Sequence, residues 1–265
     1  MPLPLSPGAV LKLLRELKAG EAAHGPLCVT GAPALAAALR RDLADGAAPG
    51  AVREGFSSEA AAIVHVLAAG PTEDDRRLLR DAEKGRIPVT AVLAGPSLDT
   101  RVPYVLATDV VVVEPGSSFP VDRIAAVVAR GLGDRGTALA ARVPVVRAAV
   151  CAELIARASR RNGLLGAAIF IPGADFPVLT MNQLRLVLRI GAAHGLAIDN
   201  ERLPEILGVI GGGLAFRTAA RQAAGVIPLA GWAVKGGVAY AGTRALGEAA
   251  VKYFEARTAA ASPPA

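Results

Sequence analysis

Apolar residues follow two rhythms along this chain, and the change from one to the other sets the architecture that the sequence predicts. In the first half they come as short unbroken runs. Pro26-Leu27-Cys28-Val29-Thr30-Gly31 reads as a buried strand ending in a glycine turn, and an Ala/Leu helix follows to about Asp45. Ala61–Leu67 is the next strand-like run. Thr72 then caps a helix with Asp75 three residues on, and that helix runs to Lys84-Gly85. Ile87–Gly95 and Asp109–Val113 are further apolar runs; a turn at Pro115-Gly116-Ser117-Ser118 and a helix over Val121–Arg130 complete the series. A charged amphipathic helix over about residues 7–23 precedes them all. Continuous aliphatic strands alternating with helices predict an α/β domain with a mostly parallel sheet, covered on both faces.

From Pro144 the period becomes helical. Val145, Ala149, Ala152 and Ala156 fall near one face, with Arg147, Arg157, Arg160 and Arg161 as charged positions. Pro172-Gly173 breaks the chain, Pro177 opens a helix over Val178–His194, and Gly195 is its expected cap. Asp199 is the expected N-cap of the next helix, with Pro204 near its start and Gly208, Gly211, Gly212 and Gly213 inside it. Pro228 interrupts again, and a last helix spans about Ala233–Ala256. The predicted division is an N-terminal helix (1–23), the α/β domain (24–141), an all-α basic domain (142–257) and a disordered tail (258–265).

In a parallel sheet the first strand-to-helix turn is the natural phosphate site, because free N–H groups point out of the helix start. A P-loop there needs G-x-x-x-x-G-K-[ST], with the lysine on the β/γ-phosphates and the hydroxyl on magnesium. Counting from Gly31, the second glycine, the lysine and the hydroxyl residue are replaced by Ala36, Ala37 and Ala38. The position is vestigial, and no cofactor or metal is expected to bind.

Taken in order, Ala62–Leu67, Thr72-Glu73-Asp74-Asp75, Leu78-Leu79 and Ile87–Leu93 resemble the later strands and helix of Era-like GTPases. In that family the last of these strands ends in the guanine-reading N-K-x-D. Here Ala94-Gly95-Pro96-Ser97 occupies the place, with neither amide nor carboxylate, and no D-x-x-G precedes Ala62. The resemblance therefore implies a P-loop GTPase-like but degenerate domain, without triphosphate binding or GTP hydrolysis. Further on, Ile171-Pro172-Gly173-Ala174-Asp175, Asn182-Gln183, Arg217–Arg221, Pro228–Trp232 and Ala239–Gly247 look like Domain of Unknown Function 697, over about residues 145–256. That family often sits beside Era-like GTPase domains in bacterial proteins, and some relatives are described as inner-membrane proteins. It brings no agreed activity and no catalytic residues.

Composition and charge then narrow the partners. A hydrophobic fraction of 52% with 20% charged residues excludes a disordered chain. Residues 1–141 carry 15 Lys+Arg against 16 Asp+Glu, and residues 142–265 carry 14 against 7, so the basicity belongs to the helical half. The pairs Arg185/Arg189 and Arg217/Arg221 each share a helix face, and with Trp232 they are the expected contacts to anionic lipid or a protein partner. Core hydrogen bonding or a solvated face is the plainer use of these residues, and of the group Lys235, Tyr240, Thr243 and Arg244. Gly208–Gly212 has G-x-x-x-G spacing, which suits homo-oligomer contacts through small-residue helices. The charge-free runs Asn162–Ala174 and Gln222–Val234 are too short to span a bilayer, whereas Gly163–Met181 reaches 19 residues if Asp175 is tolerated. The expected location is cytoplasmic, at or in the inner membrane, without secretion. His24, His65 and His194 are isolated, Cys28 and Cys151 read as buried small hydrophobes, and no catalytic constellation appears. The expected role is a non-catalytic scaffold or adaptor. The alternatives are a regulator keeping weak guanine-nucleotide or phosphate binding near Gly31, and a nucleic-acid binder, which the lack of stacking aromatics makes unlikely.

Overall fold

The computed structural model describes residues 25–95, 101–114, 116–168, 176–196 and 231–261. The expected helix over 7–23, the Pro172-Gly173 break, the Asp199–Gly213 helix, Pro228, Pro96-Ser97, Arg217 and Arg221 lie outside the described residues. The chain divides into two compact units, one within residues 20–153 and one within 154–265.

The first unit is a parallel sheet with helices. Its strands are β1 (Leu27–Gly31), β2 (Val52–Glu54), β3 (Ala62–Leu67), β4 (Val89–Leu93) and β5 (Val110–Val112), in the order β2-β1-β3-β4-β5. All four pairings are parallel, with Leu27 opposite both Val52 and Ala62, and Ile63 opposite Val89. β1, β3 and β4 bury nearly every residue, as expected for central strands covered on both faces. The helices are α1 (Pro33–Leu43), α2 (Glu73–Lys84), α3 (Val121–Leu132) and α4 (Gly136–Arg142). Crossovers from β1 to β2 and from β3 to β4 run in opposite directions across the sheet. Right-handed connections therefore put α1 and α2 on opposite faces. Cys28, Ile63 and Ala82 share one buried cluster, and Leu67, Leu79 and Leu93 another, which places α2 on the face of Cys28, Ile63 and Leu67.

The predicted strands and helices of this half are present within a residue or two, and the capping box at Thr72 and Asp75 is formed. Three features differ. The short helix α4 (Gly136–Arg142) is unpredicted. β2 is an unpredicted edge strand of three residues with only Val52 buried, too short and too polar to leave a pattern. The boundary also moves, because the helix α5 (Pro144–Ala168) starts inside the sheet unit. Val146 and Val150 are buried, and Gly136 at the start of α4 leaves room for the Val150 methyls.

The second unit contains the rest of α5, then α6 (Phe176–Ala193) and α7 (Gly231–Ala261). The buried face of α5 is Val146, Val150, Leu154, Ile155, Ser159 and Asn162, not the expected Val145, Ala149, Ala152 and Ala156; Ala152 is exposed. Alanine commits weakly to either environment, so the larger residues set the rotation of the helix. α6 ends as expected at Gly195, which takes a left-handed conformation at φ 75°. α7 continues to Ala261, so residues 258–261 are helix rather than tail. The Thr258 hydroxyl donates to the Phe254 carbonyl, and three alanines follow it. Glycines allow close helix crossings: an added Cβ on Gly236 would stand 2.9 Å from the Gly163 carbonyl, and one on Gly247 2.6 Å from Ile155. No described helix is long and apolar enough to cross a membrane, and Gly163–Met181 is divided between α5 and α6.

Candidate functional site

In a doubly wound sheet, ligands bind at the carboxyl ends of the strands where the strand order reverses, here between β1 and β3. Thr30 and His65 lie side by side in register in the carboxyl-terminal halves of those two strands. Both point to the α2 face and both are buried, His65 completely. Thr30 Oγ1 lies 2.8 Å from His65 Nδ1. On the other side of the ring, Nε2 lies 3.1 Å from Asp75 Oδ1, off the line of a well-aligned hydrogen bond. Asp75 Oδ2 accepts from the Thr72 amide at 2.8 Å and from the Thr72 hydroxyl at 2.7 Å. One carboxylate therefore serves both as the capping-box residue of α2 and as the polar neighbour of a buried imidazole.

Electrostatics assign the protons. Burial pushes the His65 pKa below its ordinary value of 6.5, against the opposing charge and contact of Asp75. Burial would raise the Asp75 carboxyl, but the Thr72 hydroxyl and amide together with His65 outweigh it and hold it below 3.8. Neutral His65 keeps its proton on Nε2, facing the carboxylate, and its Nδ1 accepts from the Thr30 hydroxyl. The order hydroxyl, imidazole, carboxylate has the connectivity of a catalytic triad. Thr30 is only 5% exposed, however, and its hydroxyl is turned to the ring rather than to a cleft. The arrangement clamps β1, β3 and α2 together.

The turn next to it is closed. Gly31 has φ 101°, and an added Cβ would stand 2.0 Å from the Val66 carbonyl oxygen. The Ala32 amide donates to that same carbonyl at 2.9 Å, so β1 leads into α1 through one residue. Pro33 opens α1 and has no N–H, leaving Ala34 and Leu35 to offer amides in the first turn. Ala36, Ala37 and Ala38 stand inside α1, Ala36 buried and the other two half-buried. Gly31 is thus accounted for by the close approach of β1 to β3.

In the helical unit a second polar cluster is buried. Asn162 Nδ2 donates to Thr243 Oγ1 at 2.9 Å, and Asn182 Nδ2 donates to Asn162 Oδ1 at 2.9 Å. Gln183 reaches Thr243 Oγ1 at 3.3 Å, and Thr243 donates to the Ala239 carbonyl at 2.8 Å. The fully buried Ser159 hydroxyl, on the same helix as Asn162, has no partner among the described residues. Of the group at the last helix, Thr243 joins this cluster, and the Lys235 side chain lies outside the described residues. Tyr240 is exposed beside Gly163, and Arg244 is an exposed partner of Glu248 at 2.8 Å.

Of the expected contact residues, Arg217 and Arg221 are not among the described residues. Arg185 and Arg189 are half-buried on α6 and each is engaged within the structure. Trp232 belongs to α7. Cys28 and Cys151 are buried free thiols, and burial pushes the Cys28 thiol up, away from thiolate chemistry. No cluster of three metal-ligating side chains occurs among the described residues. His65 read as isolated in the sequence because its partners stand on other elements. The place of His65 within an apolar run and the capping box at Thr72 were the available signals, and neither ties Asp75 to β3. Comparison with protein-family models, with curated proteins and with solved structures finds no match.

Proposed function

We propose that this chain is a non-catalytic scaffold: a degenerate, GTPase-like α/β domain that offers a surface, joined to a basic helical domain that engages an acidic partner. The observation that carries this reading is the closed turn after β1. Gly31 is pressed against the Val66 carbonyl, Ala32 spends its amide there, and Pro33 has none to give. A triphosphate needs a cradle of several free amides and a lysine at that place. Strand order 2-1-3-4-5 is common to doubly wound sheets with many chemistries. The GTPase-like part of the reading therefore rests on the order of the motif positions. Calorimetry of the full chain with GTP and with GDP in magnesium tests it. No heat from micromolar to millimolar nucleotide is the expected result, and micromolar affinity overturns it.

The helical domain carries 12 basic against 6 acidic residues over 154–265, which favours an anionic partner, an anionic membrane surface foremost. Sedimentation with anionic but not neutral vesicles, weakened by salt and by Arg217→Ala with Arg221→Ala, is the expected outcome. Equal recovery with neutral vesicles removes the electrostatic basis.

A further inference from the structure

At the end of the sheet opposite Gly31, where the strands begin, the structure has a cleft of about 510 Å³. It opens between the start of β3, the loop from α2 to β4 and the end of α3, and that volume suits a small organic molecule. Ala60, Ala61, Ile87, Pro88 and Leu132 give it an apolar wall, while Ser58, Glu59, Arg86 and Arg135 supply its polar groups. Most arginines of this unit are occupied: Arg40 with Glu54, Arg76 with Glu73, Arg77 with Asp74, Arg80 with Tyr104 and Arg130 with Asp109. Arg41, Arg86, Arg123 and Arg135 are not, and of these Arg86 and Arg135 line the cleft. Neither guanidinium makes a hydrogen bond or ion pair among the described residues, although Glu59 lines the same cleft.

The backbone at Arg86 is also out of the ordinary. α2 ends in a Schellman motif, with the Ile87 amide on the Ala82 carbonyl and the Arg86 amide on the Glu83 carbonyl, both at 2.9 Å. That motif puts its left-handed residue at position 86, and the residue there is arginine at φ 54°. α6 ends in the same motif, with Leu196 on Gly191 and Gly195 on Ala192, and uses glycine at φ 75°. A left-handed arginine is strained where glycine is not. Strain retained beside an unpaired charge and a cleft points from geometry towards binding.

We propose that this cleft binds a small organic oxyanion, a phosphate monoester or a carboxylate, with Arg86 and Arg135 on the anionic group and the Ile87, Pro88 and Leu132 wall on its apolar body. Glu59 then faces the uncharged part of the ligand and disfavours polyanions. The inference is independent of the scaffold reading, since the cleft lies away from the β1 turn. The test is thermal shift and calorimetry of the full chain with inorganic phosphate, phenyl phosphate and benzoate, each against potassium chloride of equal ionic strength. A saturable rise in Tm with phenyl phosphate or benzoate, exceeding that with inorganic phosphate, is expected, and the tighter of the two identifies the anion. Arg86→Gly keeps the fold, raises the ligand-free Tm by about 2–4 °C and weakens binding at least tenfold. Arg86→Gly with Arg135→Gln abolishes binding. Shifts no larger than those with chloride overturn the proposal, as does binding that survives the double variant.

Discussion

The sheet unit and the helical unit are both poor in aromatics, which make up 4% of the chain, yet they fix their geometry by different means. In the sheet unit, unbroken aliphatic runs and ladder hydrogen bonds define register, and one polar chain, Thr30-His65-Asp75-Thr72, pins β1 and β3 to α2. In the helical unit, alanine leaves the helix faces ambiguous. Orientation there comes from a few large residues, from glycines at the crossings, and from amide hydrogen bonds among Asn162, Asn182, Gln183 and Thr243. Backbone pairing is tolerant of side-chain identity, whereas small-residue helix packing is specific only through such contacts.

Gly31→Ala tests the sheet side most severely, because its Cβ would enter the Val66 carbonyl at a positive φ. A loss of about 3–5 kcal/mol is expected in urea denaturation followed by far-UV circular dichroism. Near-wild-type stability would show that β1 and β3 can part without cost. Asn162→Ala tests the helical side. It strands the buried Asn182 amide and removes a donor to Thr243, at about 2–3 kcal/mol. The single tryptophan, Trp232 of α7, allows that melt to be followed by fluorescence. Leucine at both 162 and 182 should recover part of the loss, since removing both partners leaves fewer polar atoms unpaired.

The polar chain of the sheet unit has a pH signature. A His with a folded-state pKa below its unfolded value is neutral in the fold and charged after unfolding in acid, so stability is complete above pH 6.5 and falls as the pH drops below it. Asp75, whose carboxyl is also depressed, contributes stability above pH 3.8 that is lost on further acidification. His65→Leu should remove the first phase of this decline, at a cost of about 1–2 kcal/mol at neutral pH from the stranded Thr30 hydroxyl. Denaturation midpoints measured from pH 8 to pH 2 check both the His65 and the Asp75 statements. Smallest is Arg86→Gly, expected to stabilise by about 0.5–1 kcal/mol by relieving a left-handed arginine. A destabilised variant would mean that the arginine side chain holds the loop.

Much of the fold was legible because its signals are local. Leu27–Gly31, Ala62–Leu67 and Val89–Leu93 are largely apolar runs, Thr72 and Asp75 are three residues apart, and Gly195 stands two residues past the end of α6. Each can be read within a window of ten residues. The candidate sites were less legible. Thr30 and His65 are 35 residues apart in sequence, and their contact exists only because β1 and β3 are neighbours in a fixed register. Arg86 and Arg135 meet at one cleft for the same kind of reason, through the closeness of the α2–β4 loop to the end of α3.

By itself, then, the sequence determined the four strands β1, β3, β4 and β5, where α2 begins, where α6 stops, and that basic charge gathers after residue 141. These follow from periodicity, caps and composition, which act over a few residues. Tertiary structure alone decided that three residues at Val52–Glu54 become an edge strand, that α5 turns Val146 rather than Val145 inward, and that Asp75 serves a buried histidine as well as its own helix. It also reassigned Gly31, from a turn that would admit phosphate to a point of backbone contact with Val66. The physical reason is one of range: a glycine's freedom is visible in the sequence, but what occupies the space beside it depends on the strand that packs there.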